Sequence, residues 1–178
     1  MRRIPSLVAT VMLCLLVSVP VVAQEHILSL GLSGGIAGSL DEDETGFSNG
    51  TVQLRFTVET SSEHGLGIRL GRMDFGDTDV GRVTDVTIDY LTLAGEYFFQ
   101  EPSYESGLFL GLGFFDLAST RDDGRSGDES AVGIVVGALG EFKSAKRWFI
   151  YGEVAFAYTN LDVAQLFADL QVGVGYRF

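Results

Sequence analysis

Eight ionisable residues fall on the polar side of alternating stretches: Arg55, Glu59, Arg69, Glu96, Glu141, Glu153, Asp169 and Arg177. Val52-Gln53-Leu54-Arg55-Phe56-Thr57-Val58-Glu59 shows the pattern most cleanly. If these side chains share an enclosed space, two chemistries are open to them. Paired, they form an internal salt-bridge plug, because an unpaired buried charge is costly. Rearranging, they gate an ion path. Five acids against three arginines leave carboxylates over, so at least one inward glutamate is expected to be protonated near neutral pH. Glu59, Glu96, Glu141 and Arg177 are expected near one end of that space, and Arg55, Arg69, Glu153 and Asp169 nearer its middle.

Two other sets carry possible chemistry. Asp41-Glu42-Asp43-Glu44 offers several carboxylate oxygens to a hard divalent cation, though without EF-hand spacing, and a solvated acidic loop is the plainer reading. Asp122-Asp123-Gly124 and Asp128-Glu129 read the same way. A hydrolase would need a histidine beside a serine and a carboxylate. The chain has two histidines, His26 and His64, both expected at strand ends on the side opposite the long loops. That placement argues against an enzyme.

Period-two alternation defines the elements that position these residues. Eight such segments run from about 27–36, 51–60, 65–73, 85–99, 107–115, 131–142, 147–158 and 163–178. Their apolar faces carry residues such as Leu54, Leu66, Leu110 and Ile134. Their opposite faces carry the charges and many glycines, which leave room for long arginine and tyrosine side chains. The fourth segment changes phase near Tyr90: Val86, Ile88 and Tyr90 share one face, then Leu91, Leu93, Tyr97 and Phe99 take the other. A bulge, or a strand running past the membrane, would each explain it. Three acidic loops are expected at 39–50, 74–84 and 116–130. They alternate with short turns, although the connection at 159–162 is short too. Tyr97, Phe98, Phe99, Phe142, Trp148, Tyr176 and Phe178 are expected to form an aromatic girdle.

The first stretch reads as a targeting segment. Arg2-Arg3 precede an apolar run from Leu7 to Val19, and Val21 and Ala23 fit a small-residue cleavage site. The expected division is a signal peptide over 1–23 and one domain over 24–178. Cys14 leaves with the signal, so the mature chain has no disulfide or thiolate chemistry. Loss of Arg2 and Arg3 takes the formal charge from −12 to −14, which excludes a basic nucleic-acid binder. After residue 24 no apolar run approaches the length of a helical span, so a membrane-embedded chain would have to be a barrel.

The last strand holds Leu170, Val172, Val174, Tyr176 and Phe178 on one face and ends Gly173-Val174-Gly175-Tyr176-Arg177-Phe178. With Leu110-Gly111-Leu112-Gly113-Phe114 and Ala94-Gly95-Glu96-Tyr97-Phe98, this resembles the outer-membrane β-barrel domain family, the small eight-stranded barrels of OmpA-like type. The resemblance implies an all-β, eight-stranded antiparallel up-and-down transmembrane barrel in the bacterial outer membrane, with both termini periplasmic. It also implies insertion by the outer-membrane assembly machinery, which reads the terminal strand 170–178. The expected partners are outer-membrane lipid and lipopolysaccharide, and the expected state is a monomer without a cofactor. The expected function is structural or surface interaction through acidic extracellular loops, with the lumen closed by the salt-bridge network. A narrow channel is the alternative, and a lipid A-modifying enzyme a more distant one. A soluble lipocalin-like barrel is the rival fold.

Overall fold

The computed structural model describes residues 27–40, 48–76, 83–100, 104–121, 126–143, 147–161 and 165–178. The stretch 1–23 expected to be a signal peptide, with Cys14, and His26, Asp41 to Glu44 and the Asp122-Asp123-Gly124 run lie outside these residues. Within them the alternating stretches form eight strands: β1 (Ile27–Ser39), β2 (Gly50–Glu59), β3 (His64–Gly76), β4 (Val83–Gln100), β5 (Tyr104–Arg121), β6 (Ser126–Lys143), β7 (Trp148–Tyr158) and β8 (Leu166–Arg177). Every neighbour in sequence is an antiparallel neighbour in space, and β8 pairs with β1 to close the barrel. Closure leaves the membrane-facing part of the sheet without an edge.

The terminal strand makes that closure. Ser29 to Ser39 pair with Arg177 back to Phe167, and the Phe178 amide donates to the Leu28 carbonyl at 2.9 Å. Leu170, Val172, Val174 and Phe178 project outward and exposed, with Tyr176 half-buried among them.

The exterior carries a broad apolar band. Leu32, Leu54, Leu70, Leu93, Leu110, Leu112, Val132, Ile134 and Val172 are all exposed, Leu110 at 62%. A water-soluble barrel would place these residues inside, so the soluble alternative fails on this surface. On β5 the band runs from Tyr104 to Phe114, close to the roughly 9–11 residues a tilted strand needs to cross a bilayer. An arginine at Leu110 is therefore expected to cost about 2–4 kcal/mol in folding from urea into lipid vesicles, and one at Ala118 about 0–1.

At one end of the band stands an aromatic collar of Tyr97, Phe99, Tyr104, Phe142, Trp148, Tyr176 and Phe178. Edge-to-face contacts join Tyr97 to Phe99 at 5.0 Å, Trp148 to Tyr176 at 5.1 Å and Tyr176 to Phe178 at 5.2 Å. Phe98 belongs elsewhere. Strict alternation between its two collar neighbours turns it into the lumen, where it is 2% exposed.

The fourth strand does not change phase. Val86, Ile88, Tyr90, Thr92, Ala94, Glu96 and Phe98 all face inward without interruption. What inverts near Tyr90 is the chemistry on the two faces. Past the apolar band, β3 shows Arg72 and Asp74 outside with Met73 and Phe75 inside. β5 shows Asp116 outside with Phe115 and Leu117 inside. The wall thus leaves the lipid and continues into water, where its faces take the pattern of a soluble sheet. Register irregularities do occur, but at Thr84/Thr87 and Asp74/Gly76, beyond the band.

The same extension shortens the long loops. Asp74 to Gly76 belong to β3, Val83 and Thr84 to β4, Asp116 to Arg121 to β5, and Ser126 to Ser130 to β6. Connections of 4, 3 and 4 residues follow β2, β4 and β6, against 10, 6, 4 and 7 after β1, β3, β5 and β7. The polar outer faces of 116–121 and 126–130 had concealed strands that stand in water.

Candidate functional site

The lumen is the candidate site, and alternation delivers its contents. Arg55, Glu59, Arg69, Glu96, Glu141, Glu153 and Asp169 are buried, and the Arg177 side chain is 16% exposed. Arg55 donates to Glu141 Oε1 at 2.7 Å and to Glu96 Oε2 at 3.2 Å. Arg69 lies 2.7 Å from Glu96 Oε1 and donates through Nε to Glu153 at 2.9 Å. Arg177 donates to Glu105 and Glu141, both at 2.7 Å, and lies 3.6 Å from Glu59. Glu141 and Glu96 each bridge two arginines, so the three guanidiniums and five glutamates, Glu105 among them, form one continuous chain of charge.

Glu105 escaped the sequence reading because Gln100 to Ser106 resembled a turn containing Pro102. β5 begins at Tyr104, and the alternation Tyr104 out, Glu105 in then follows. Asp169 stands apart from the chain of charge. Its oxygens accept from Gln171 Nε2 at 2.7 Å and from Thr51 Oγ1 at 3.5 Å, and among the described residues no arginine pairs with it.

Each arginine also lies over an inward aromatic ring: Arg69 over Phe109 at 3.9 Å, Arg177 over Phe149 at 5.1 Å and Arg55 over Tyr151 at 5.4 Å. Such stacking holds the planar guanidinium in place and lowers the cost of its burial. Phe109 and Phe149 were legible as inward by counting from their neighbours, yet apolar residues draw the eye to the lipid face.

A neutral polar tier follows. Tyr90 donates to Gln53 Oε1 at 2.8 Å, Gln171 donates to Tyr90 Oη at 3.2 Å, and Ser33 donates to Gln171 Oε1 at 2.6 Å. Gln53 in turn reaches Glu153 at 3.3 Å, tying this tier to the charges. A void of about 20 Å³ lies among Gln53, Arg69, Tyr90, Glu153, Phe115 and Asp169, enough for about one water molecule.

Above it the lumen is apolar. Met73, Phe75, Ile88, Phe115, Leu117 and Phe167 pack together, with Leu161 wholly buried among them from the β7–β8 connection. Leu161 is fixed there by its amide donating to Thr159 Oγ1 at 3.3 Å, while the Thr159 amide donates to the Gln165 carbonyl at 2.7 Å. The sequence reading missed this tier because it placed Phe75 and Leu117 in the acidic loops 74–84 and 116–130, and Leu161 in the connection 159–162.

The remaining candidates are simpler. Asp128 is exposed on β6. Among the described residues no group of three or more His, Cys, Asp or Glu side chains could hold a metal ion. His64 opens β3 in an exposed turn, 3.2 Å from Ser61 Oγ, and stacks edge-on to Tyr97 at 5.2 Å. Ser61 Oγ accepts the backbone amides of Glu63 and His64, which makes it a turn residue.

A closed antiparallel barrel with a lipid-facing apolar band, an aromatic collar and a packed polar lumen defines a transmembrane β-barrel of the outer-membrane class. The chain belongs to the outer membrane protein beta-barrel domain family, which it matches over residues 9–178, and it is a bacterial outer-membrane protein. Solved structures agree in fold. Neisserial surface protein A superposes with a TM-score of 0.65 at 13% identity, over 86% of this chain and 97% of that one. The N-terminal barrel domain of Pseudomonas aeruginosa OprF gives 0.61 at 16% identity, over 84% and 97%. Ail of Yersinia pestis, in complex with the heparin analogue sucrose octasulfate, gives 0.58 at 18% identity, over 87% and 100%. A search of curated proteins found no match. In this family the short turns are periplasmic and the longer connections extracellular. The charge chain therefore occupies the periplasmic half of the lumen, and the apolar tier its extracellular end.

Proposed function

We propose that this barrel acts at the cell surface, as a structural and interaction protein whose lumen is a closed plug. The observation that carries the reading is the two-tier filling of the interior. Solute moving through would have to part three ion-paired arginines, each lying over a ring, and then cross a packed layer of Phe, Met, Leu and Ile. Water and ions are excluded from the second layer by its chemistry as well as its density. A channel would need a continuous wet path through both.

Function then belongs to the extracellular wall and loops. These are acidic: Asp74, Asp89, Asp116 and Asp128 stand on outward-facing positions, and Asp41 to Glu44 fall between β1 and β2 in sequence. Arg72 is held by Asp89 through paired contacts of 2.6 and 2.7 Å. Such a surface favours cations and basic partners and repels anions. The polyanion in the Ail complex is the opposite of what this surface fits. Lipopolysaccharide around the barrel, insertion by the outer-membrane assembly machinery and a monomeric state belong to the same reading, as does the absence of enzyme activity.

The test is a pair of columns. Purified barrel in neutral detergent at low salt is expected to be retained on immobilised poly-lysine and released by salt, and to pass through immobilised heparin. Retention on heparin would contradict the proposal.

A further inference from the structure

Charge is not spread evenly over the periplasmic rim. The chain holds two lysines, Lys143 and Lys146, and both fall within four residues of Arg147 in sequence. Three cations in five residues stand out in a chain of formal charge −12. The other two short turns read Thr60-Ser61-Ser62-Glu63 and Glu101-Pro102-Ser103, with an acid in each. The turn between β6 and β7 is thus the basic one.

Arg147 leads into β7 beside the terminal strand. The Arg177 amide donates to the Arg147 carbonyl at 2.8 Å, which ties the end of the turn to β8. The exposed Arg147 side chain donates through Nη1 to Tyr176 Oη at 3.0 Å. Tyr176 makes edge-on contacts with Trp148 at 5.1 Å and with Phe178 at 5.2 Å. The guanidinium therefore stands in the aromatic collar, at the depth of the lipid headgroups.

Its partner sets it apart. Arg55, Arg69, Arg72 and Arg177 each pair with a carboxylate. Arg147 bonds a neutral phenol, and among the described residues no carboxylate pairs with it. The bond to Tyr176 uses one of the five N–H donors of the guanidinium. Tyr176 accepts that bond and keeps its own O–H to donate, and Trp148, 55% exposed, brings an indole N–H. A cation with donors to spare, among amphipathic aromatics, is complementary to an oxyanion at the same depth.

We infer that Arg147, Tyr176 and Trp148 form a binding site for the headgroup phosphate of an anionic glycerophospholipid in the periplasmic leaflet. Phosphate diesters are the oxyanions that the bilayer supplies at this depth, and lipopolysaccharide belongs to the other leaflet. An anionic headgroup is preferred to a zwitterionic one, because the latter brings its own ammonium group towards the guanidinium. The inference rests on the membrane topology of the barrel and is independent of the reading of its extracellular surface.

Trp148 is the only tryptophan of the chain, so its fluorescence reports the lipid at this site. The test places the refolded full barrel in vesicles of equal parts phosphatidylglycerol and phosphatidylcholine. Bromine on the acyl chains of one lipid or the other quenches a neighbouring indole. Phosphatidylglycerol is expected to be enriched about fivefold beside Trp148, the weight of one arginine at an anionic lipid surface. R147Q is expected to remove the enrichment. The double variant W148F/Y97W moves the reporter to the collar position that packs against His64, next to Glu63, where no enrichment is expected. Equal quenching by the two lipids at Trp148 overturns the inference, as does enrichment that survives R147Q. The same enrichment in W148F/Y97W overturns it too, by making the preference a property of the whole collar. Loss of the enrichment on adding inorganic phosphate at constant ionic strength would assign the site to a soluble anion and also overturn it.

Discussion

Replacing Arg69 by alanine is expected to destabilise the barrel by about 3–5 kcal/mol, the usual result of removing one partner from a buried ion pair. Arg69 is 1% exposed, pairs with Glu96 and Glu153, and lies 3.9 Å over the Phe109 ring. The loss follows from what stays behind. Among the described residues Glu153 keeps only the weak Gln53 donor, at 3.3 Å, and Glu96 keeps only Arg55. Urea titration in phospholipid vesicles, read by the single tryptophan, Trp148, measures the change. The triple variant R69M/E96Q/E153Q should recover much of the loss, since it removes charge from both sides of the pairs. A triple variant as unstable as R69A would mean that shape, and not charge balance, sets the cost.

Gly35→Val is expected to be more damaging still, with closure of the barrel as its target. A side chain at Gly35 would run into the backbone of β8 at the Leu170 carbonyl, in the seam that joins the last strand to the first. Backbone cannot rotate aside as a flexible side chain can. We expect a loss of about 3 kcal/mol or failure to fold. Gly140 is the internal control. Nothing lies within 4 Å of the Cβ it would gain, so Gly140→Ala should be neutral or stabilise by about 0.4–1 kcal/mol through the unfolded chain. The opposed outcomes, read in the same vesicle titration, separate a required glycine from an incidental one.

Period-two alternation made much of this architecture legible, because in a barrel wall the lipid face must be apolar and the lumen face need not be. β2 is the clearest case: Val52, Leu54, Phe56 and Val58 face lipid, and Gln53, Arg55, Thr57 and Glu59 face the lumen. Inward charge was readable for the same reason, since arginine or glutamate between apolar neighbours has one place to go. The reading lost its footing where the solvent changed. Beyond the membrane, Val86 and Ile88 point inward and Asp89 outward, so hydrophobicity alone reverses the inferred face while the backbone alternation carries on. The outer end of the β5–β6 hairpin was read as part of a loop for that reason, and its polar outer face at 116–120 and 126–130 was the misleading signal. Partner choice within the lumen was beyond the sequence as well. Arg55 bonds Glu141, 86 residues away, through a barrel register that no local pattern encodes.

The apolar extracellular tier bears most heavily on function, because it decides whether the lumen can conduct. Single-channel conductance of the refolded protein in a planar bilayer, with insertion verified independently, is the most direct measurement. A lumen closed by paired arginines below and by Phe75, Leu117, Leu161 and Phe167 above predicts a silent trace. Regular, reproducible current steps from the inserted protein would contradict the closed plug and make the protein a channel.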